Sequence, residues 1–160
     1  MSHLLAHFRR DRRGAALVEF SLIAPVLITM GMGMLEFGLA LYGHHVITTG
    51  VHDAARFLAR FDDPTVKEAA AKTLAVTGSV SGTTPRLSWV GTSNIGVTYR
   101  NITNTANPTT GLRPYRGPDV LKLVMVSATA TYTGFGVLPA LGLGSSLAIS
   151  VAHEERVIHE

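Results

Sequence analysis

The sequence predicts a mixed α+β chain: a long N-terminal transmembrane helix that continues into a helix packed on a small antiparallel sheet. Three observations predict it. An apolar run near the N-terminus is long enough to cross a bilayer. A stripe of apolar residues at spacings of three and four follows it. Beyond about residue 78 the pattern changes to alternation between Gly-, Ser- and Thr-rich turns. The organisation expected is a basic leader over residues 1–14, a transmembrane helix over 15–43, and an extracytoplasmic α+β domain over 44–160.

The composition agrees. The 160 residues are 46% hydrophobic and 16% charged, with a mean hydropathy of +0.26. Ordinary soluble domains carry about 25% charged residues. There are no cysteines, which excludes disulfides, zinc–thiolate sites, iron–sulfur clusters and thiol nucleophiles. The sequence pI near 9.6 is misleading about partners. Arg9, Arg10, Arg12 and Arg13 crowd into the leader, and outside residues 1–14 ten basic residues face ten acidic ones. A nucleic-acid binder needs a basic face that persists through the folded domain, so nucleic acid is not an expected partner.

From Ala15 to Tyr42 the chain reads AALVEFSLIAPVLITMGMGMLEFGLALY. These 28 residues make a helix of about 42 Å, against a hydrocarbon thickness of about 30 Å. The run is too long for a secretory h-region, and no small-residue cleavage pattern closes it. The arginines orient the N-terminus to the cytoplasm and the remainder to the outside. Pro25 removes the backbone bond to the carbonyl of Ser21, so a kink or local melting is expected there. Glu19 and Glu36 are acids in an apolar helix. A carboxylate at mid-bilayer costs roughly 2.5–3.5 kcal/mol, so both are candidate functional groups unless they reach an interface.

The downstream stripe is Ile47, Val51, Ala54, Ala55, Leu58 and Phe61. Asp53 and Arg56 form an i,i+3 pair beside it, while Gly43 and Gly50 weaken the helix locally. Asp63-Pro64 reads as an N-cap followed by the first helical position of a second, alanine-lined helix over Pro64–Val76. Strands are expected at Leu87–Val90 and Ile95–Arg100, with a polar loop over Asn101–Pro118. The clearest strand is Val120–Tyr132, with Val120, Val124, Val126, Ala128, Ala130 and Tyr132 on one face and Ser127, Thr129, Thr131 and Thr133 on the other. A last strand spans Leu147–Val157. Between these two lies a loop with the apolar residues Phe135, Leu138, Leu141 and Leu143. It folds over the sheet edge or, if exposed, meets a partner or the membrane.

No catalytic site is legible. Acid, base and nucleophile are nowhere grouped, and there is no phosphate-binding Gly-Lys-Ser/Thr loop and no G-x-S-x-G elbow. Gly31-Met32-Gly33 with Gly38 lacks the strand and spacing of a dinucleotide site; small residues there suit close approach of another helix. His44, His45 and His52 lie just past the membrane run, but His45 and His52 stand about 10.5 Å apart along a helix axis, too far to share one ion. No metal and no cofactor is expected. Trp89 defaults to burial, and Asn101-Ile102-Thr103 is a short glycosylation pattern with a high chance rate.

The stretch Arg12-Arg13-Gly14-Ala15-Ala16-Leu17-Val18-Glu19-Phe20 resembles the processing site of type IV pilin-like precursors. With the second Glu36-Phe37-Gly38, Asp53-Ala54-Ala55-Arg56-Phe57 and the region Leu138–Val151, it resembles the TadE-like family, pseudopilin-like minor subunits of Tad/Flp tight-adherence pilus systems. That resemblance implies a pilin-like fold and a structural role in pilus assembly. It implies cleavage between Gly14 and Ala15 by a separate membrane prepilin peptidase. Glu19 then stands at the fifth mature position, followed by the aromatic Phe20, and would pair with the new N-terminal amine of a neighbouring subunit. The implied partners are that peptidase, other Tad pilins and pseudopilins, the inner-membrane assembly platform and the lipid bilayer. The implied location is the inner membrane, single-pass, with incorporation in a pilus as one fate. Glu36, Leu138 and Leu141 are further interface candidates. The competing reading is an uncleaved single-pass protein whose outer domain is a binding module of an envelope complex; it retains residues 1–14 and tolerates Glu19→Ala.

Overall fold

A computed structural model of the chain describes residues 12–158. Arg9 and Arg10, and the side chains of Arg12 and Arg13, lie outside the described residues. Helix α1 (Arg12–Leu58) is 47 residues long. It is followed by a 3₁₀ turn (Pro64–Lys67), helix α2 (Glu68–Thr77), strand β1 (Ile95–Thr103), strand β2 (Val120–Tyr132) and strand β3 (Leu147–Arg156). The expected long helix, second helix and antiparallel sheet are all present. Two compact units emerge: residues 12–39 with 134–145, and residues 40–133 with 146–158.

In the first unit α1 is apolar on every side, and Leu17, Val18, Phe20, Leu22, Ile23, Val26 and Leu27 are all exposed. A helix of that pattern belongs in a nonpolar medium or a core. The segment from Gly14 onward is long and apolar enough to cross a membrane. The melting expected at Pro25 does not occur, because proline removes one backbone bond while the ladder continues on either side. Hydroxyls close locally instead: Thr29 Oγ1 donates to the Pro25 carbonyl and Ser21 Oγ to that of Val18, both at 2.8 Å.

In the second unit the sheet order is β1-β2-β3, antiparallel throughout. Ile95 pairs with Ala128 and Thr103 with Val120 on one side of β2; Leu123 pairs with Arg156 and Tyr132 with Leu147 on the other. Alternation along β2 buries Val124, Val126, Ala128, Ala130 and Tyr132 against Ile47, Val51, Ala54, Ala55 and Leu58 of α1. Each large apolar side chain removed from water contributes about 1.5–3 kcal/mol. Small residues let the helices close in. A Cβ at Gly50 would overlap the Ala75 carbonyl, so α1 and α2 touch backbone to backbone there. Gly78, at φ +79°, ends α2 in the left-handed region with its N–H on the Leu74 carbonyl at 2.8 Å.

Several boundaries shift. Leu87–Val90 is a turn and not a strand: Trp89 meets the Tyr132 ring edge-on, with centroids 5.5 Å apart, and crowds Gly43. Its apolar character serves side-chain packing rather than a ladder. Strand β1 runs on to Thr103, because Asn101, Ile102 and Thr103 continue the pairing with β2, so the glycosylation-like triplet is strand. The second helix opens as a 3₁₀ turn, with Asp63 as its N-cap and Pro64 at its start as expected. Arg56 turns away from Asp53 and reaches Glu155 on β3, Nε to Oε1 at 3.8 Å.

Candidate functional site

The N-terminal part of α1 carries the first group of candidate residues. Gly14, Ala15, Glu19 and Phe20 are helical and exposed. A Cβ at Gly14 would meet none of the described residues within 4 Å. Among the described residues, Glu19 makes no hydrogen bond or ion pair. It stands in an apolar stretch of the helix.

Glu36 contrasts with it. Its side chain is fully buried, and both carboxylate oxygens accept from the backbone N–H of Phe135 at 3.1 Å. A charge-assisted bond of this kind is about twice as strong as a neutral one. The approach depends on Gly134, held at φ +55°, where a Cβ would overlap the Glu36 carboxylate. Leu141 packs over Gly33, where a Cβ would stand 3.2 Å from Leu141 Cδ1. Leu138 begins a 3₁₀ turn ending at Leu141 and is only 1% exposed. Leu138, an interface candidate in the sequence, is therefore buried and not available as an exposed contact. Phe135 at 73% and Leu143 at 42% are the exposed apolar side chains. The loop sits 99 residues from Glu36 in sequence, which is why no local motif revealed the bond.

Two clusters of the sheet unit were not anticipated. The His52 and His153 rings stack at 3.9 Å, and Glu155 Oε1 lies 4.0 Å from His153 Nε2. His52 thus faces an imidazole from β3 rather than His45. Among the described residues no group of three or more His, Cys, Asp or Glu side chains is placed to hold an ion. Asn104 is fully buried and organises the β1–β2 connection. Its amide donates to the carbonyls of Tyr115 at 2.8 Å and Pro118 at 2.9 Å, and its oxygen accepts from Tyr115 N–H at 2.8 Å. Nearby, burial and then the Glu68 carboxylate push the Tyr99 phenol up to about 12. That keeps it neutral, as a packing group and weak donor. Nothing in these clusters joins a nucleophile to a base.

No curated protein and no solved structure gives a significant match to this chain. Residues 14–56, which hold Gly14, Glu19, Glu36 and the Asp53–Phe57 stretch, match the family model described as TadE-like protein, and together with the exposed apolar helix this match points to a Tad pilus-associated membrane protein.

Proposed function

We propose that this chain is a minor pilin- or pseudopilin-like subunit of a Tad-type pilus. It is made as a precursor and cleaved between Gly14 and Ala15 by a separate prepilin peptidase. The leader arginines hold the N-terminus in the cytoplasm, α1 spans the inner membrane, and the α+β domain lies outside. The chain is the substrate of the peptidase and not itself an enzyme. Its further partners are other pilins and pseudopilins and the assembly platform.

One observation supports this reading: among the described residues, nothing packs on Gly14 or bonds to Glu19, the two residues to which the reading gives processing and assembly roles. Gly14 has open space where a side chain would sit. Glu19 is an exposed acid on an apolar helix that no described residue neutralises. Both are explained by groups outside the chain. A peptidase must approach the scissile backbone closely, and a residue without Cβ permits that. An acid that is costly in lipid is stabilised by a neighbouring subunit's new N-terminal amine, since each charge offsets the other's desolvation.

The test is the N-terminal residue of the protein purified from the membranes of its native host. A chain beginning at Ala15 is expected. A chain still beginning at Met1 or Ser2, in cells with an active prepilin peptidase, overturns the proposal and leaves an uncleaved, membrane-anchored binding module.

A further inference from the structure

The β2–β3 connection has three properties that belong together. Residues 134–145 contain no titratable side chain. Their exposed large apolar side chains are Phe135 and Leu143. The loop also settles much of its own backbone: Leu141 N–H bonds to Val137 O, Gly142 N–H to Pro139 O and Leu143 N–H to Leu138 O, while Phe135 N–H takes the Glu36 carboxylate. A loop of this composition exposes apolar surface that water does not favour. These bonds lower part of the cost of residence against lipid, and the remaining backbone groups can meet water and headgroups at the boundary.

Its place along α1 says what covers it. From Ala15 to Glu36 the helix rises about 32 Å, close to the hydrocarbon thickness of about 30 Å. Glu36 therefore stands at the far boundary of the hydrocarbon, and the loop is pinned there. Neighbouring helix residues Met34, Leu35 and Leu39 are exposed as well, so the apolar surface of the helix runs on to the level of the loop. Phe and Leu side chains are the apolar groups that interfacial segments sink into this boundary.

We infer that the 134–145 loop is an interfacial membrane anchor. It lies in the headgroup region of the leaflet away from Ala15, with Phe135 and Leu143 in contact with lipid, and Glu36 is the pin that holds it on the helix. The inference rests on α1 crossing a bilayer and not on cleavage or pilus assembly. It gives Glu36 a role: a carboxylate at the hydrocarbon boundary that is bonded to backbone instead of being left bare.

The native chain has no cysteine, so single cysteines carry a nitroxide label uniquely. The full chain is placed in phosphatidylethanolamine–phosphatidylglycerol nanodiscs at one copy per disc. Labels are set at Phe135→Cys and Leu143→Cys, with Leu22→Cys on the apolar helix and Val66→Cys on the exposed sheet unit as references. The ratio of oxygen to water-soluble nickel accessibility at 135 and 143 should exceed that at 66 several-fold and fall below that at 22. Adding Glu36→Ala to Phe135→Cys should raise nickel access and label mobility, whereas Glu36→Gln, which keeps an acceptor, should restore the ratio. Ratios at 135 and 143 equal to that at 66, with 22 lipid-exposed, place the loop in water and overturn the inference. Exclusion of both reagents means cover by protein and overturns it too. Water-like values at 22 remove its premise, together with the membrane reading itself. An unchanged ratio in Glu36→Ala overturns the role given to Glu36.

Discussion

The two parts of helix α1 place their apolar residues in opposite ways. Up to Leu39 the apolar residues surround the helix and stay exposed; beyond Ala40 they gather on one stripe and are buried. The first part has large side chains on all sides and glycines at 31 and 38 with open space around them. The second part has small residues where another element approaches: Gly43 beneath Trp89 and Gly50 against Ala75. The second part, with His44, His45, His52, Asp53 and Arg56, is the less apolar of the two, and its periodicity sets which side is buried. An all-round pattern is satisfied by lipid or by copies of other chains. A stripe is satisfied within the fold.

Glycine substitutions test that contrast most severely. Gly50→Leu should abolish folding of the sheet unit, because the new Cβ overlaps the Ala75 carbonyl and backbone has no room to yield. Gly31→Leu should leave the fold intact, since a Cβ there meets nothing within 4 Å. Yield of folded protein in detergent, followed by Trp89 fluorescence, checks both. A tolerant Gly50 would mean that α1 and α2 do not meet backbone to backbone.

Leucine truncation gives a graded version. Leu58→Ala empties a fully buried site in the sheet unit and should cost about 2–5 kcal/mol. Leu22→Ala, at an exposed position of the same helix, should leave denaturant stability within about 0.5 kcal/mol of the parent. Equal effects at the two positions would erase the distinction between the parts of α1.

How legible each region was follows from how local its causes are. The membrane run, the buried stripe, the Asp63-Pro64 helix start and the alternating face of β2 are all set by near neighbours, and each is visible in the sequence. The β1 extension was hidden because Asn101 and Thr103 are polar residues that pair with β2 at the end of the sheet. Trp89 imitated a strand because a bulky residue beside Leu87 and Val90 has the same composition whether it pairs or packs. The Glu36–Phe135 bond and the His52–His153 stack join residues far apart in sequence, and neither has a motif. Among the candidate residues, Glu19 stood out as an acid in an apolar run, whereas Gly14, Ala15 and Phe20 were named by resemblance alone; among the described residues no hydrogen bond or close packing singles them out.

Asn104 shows the same limit at a single residue. In the sequence it is one polar residue within a polar loop; in the fold it is the loop's buried centre. Asn104→Ala leaves Tyr115 N–H and the carbonyls of Tyr115 and Pro118 without these partners. Each buried group left unpaired costs about 1–3 kcal/mol, partly recovered where the loop relaxes and finds other partners. A stability loss of about 2 kcal/mol with an unchanged membrane helix is expected, measured by urea unfolding in detergent. A loss below the noise of the measurement would mean that the loop does not depend on its centre.

The smallest effect belongs to Asp63, which caps the 3₁₀ turn between the two helices. Its side chain accepts from the backbone N–H of Thr65 at 3.1 Å and from the Thr65 hydroxyl. The hydroxyl bond first, and then the backbone bond, hold its carboxyl below the ordinary carboxylate value. A carboxyl depressed in the folded state binds its proton more weakly there than in the unfolded chain. Its contribution is therefore complete above the unfolded value of about 4 and disappears as pH falls through the lower folded value. Asp63→Ala should lower the thermal midpoint slightly at pH 7, and variant and parent should converge below the folded value. Asp63→Asn, which keeps an acceptor but cannot titrate, should flatten the acid limb while retaining most of the cap. If parent and Asp63→Asn lose stability in parallel on acidification, the acid sensitivity does not arise from Asp63.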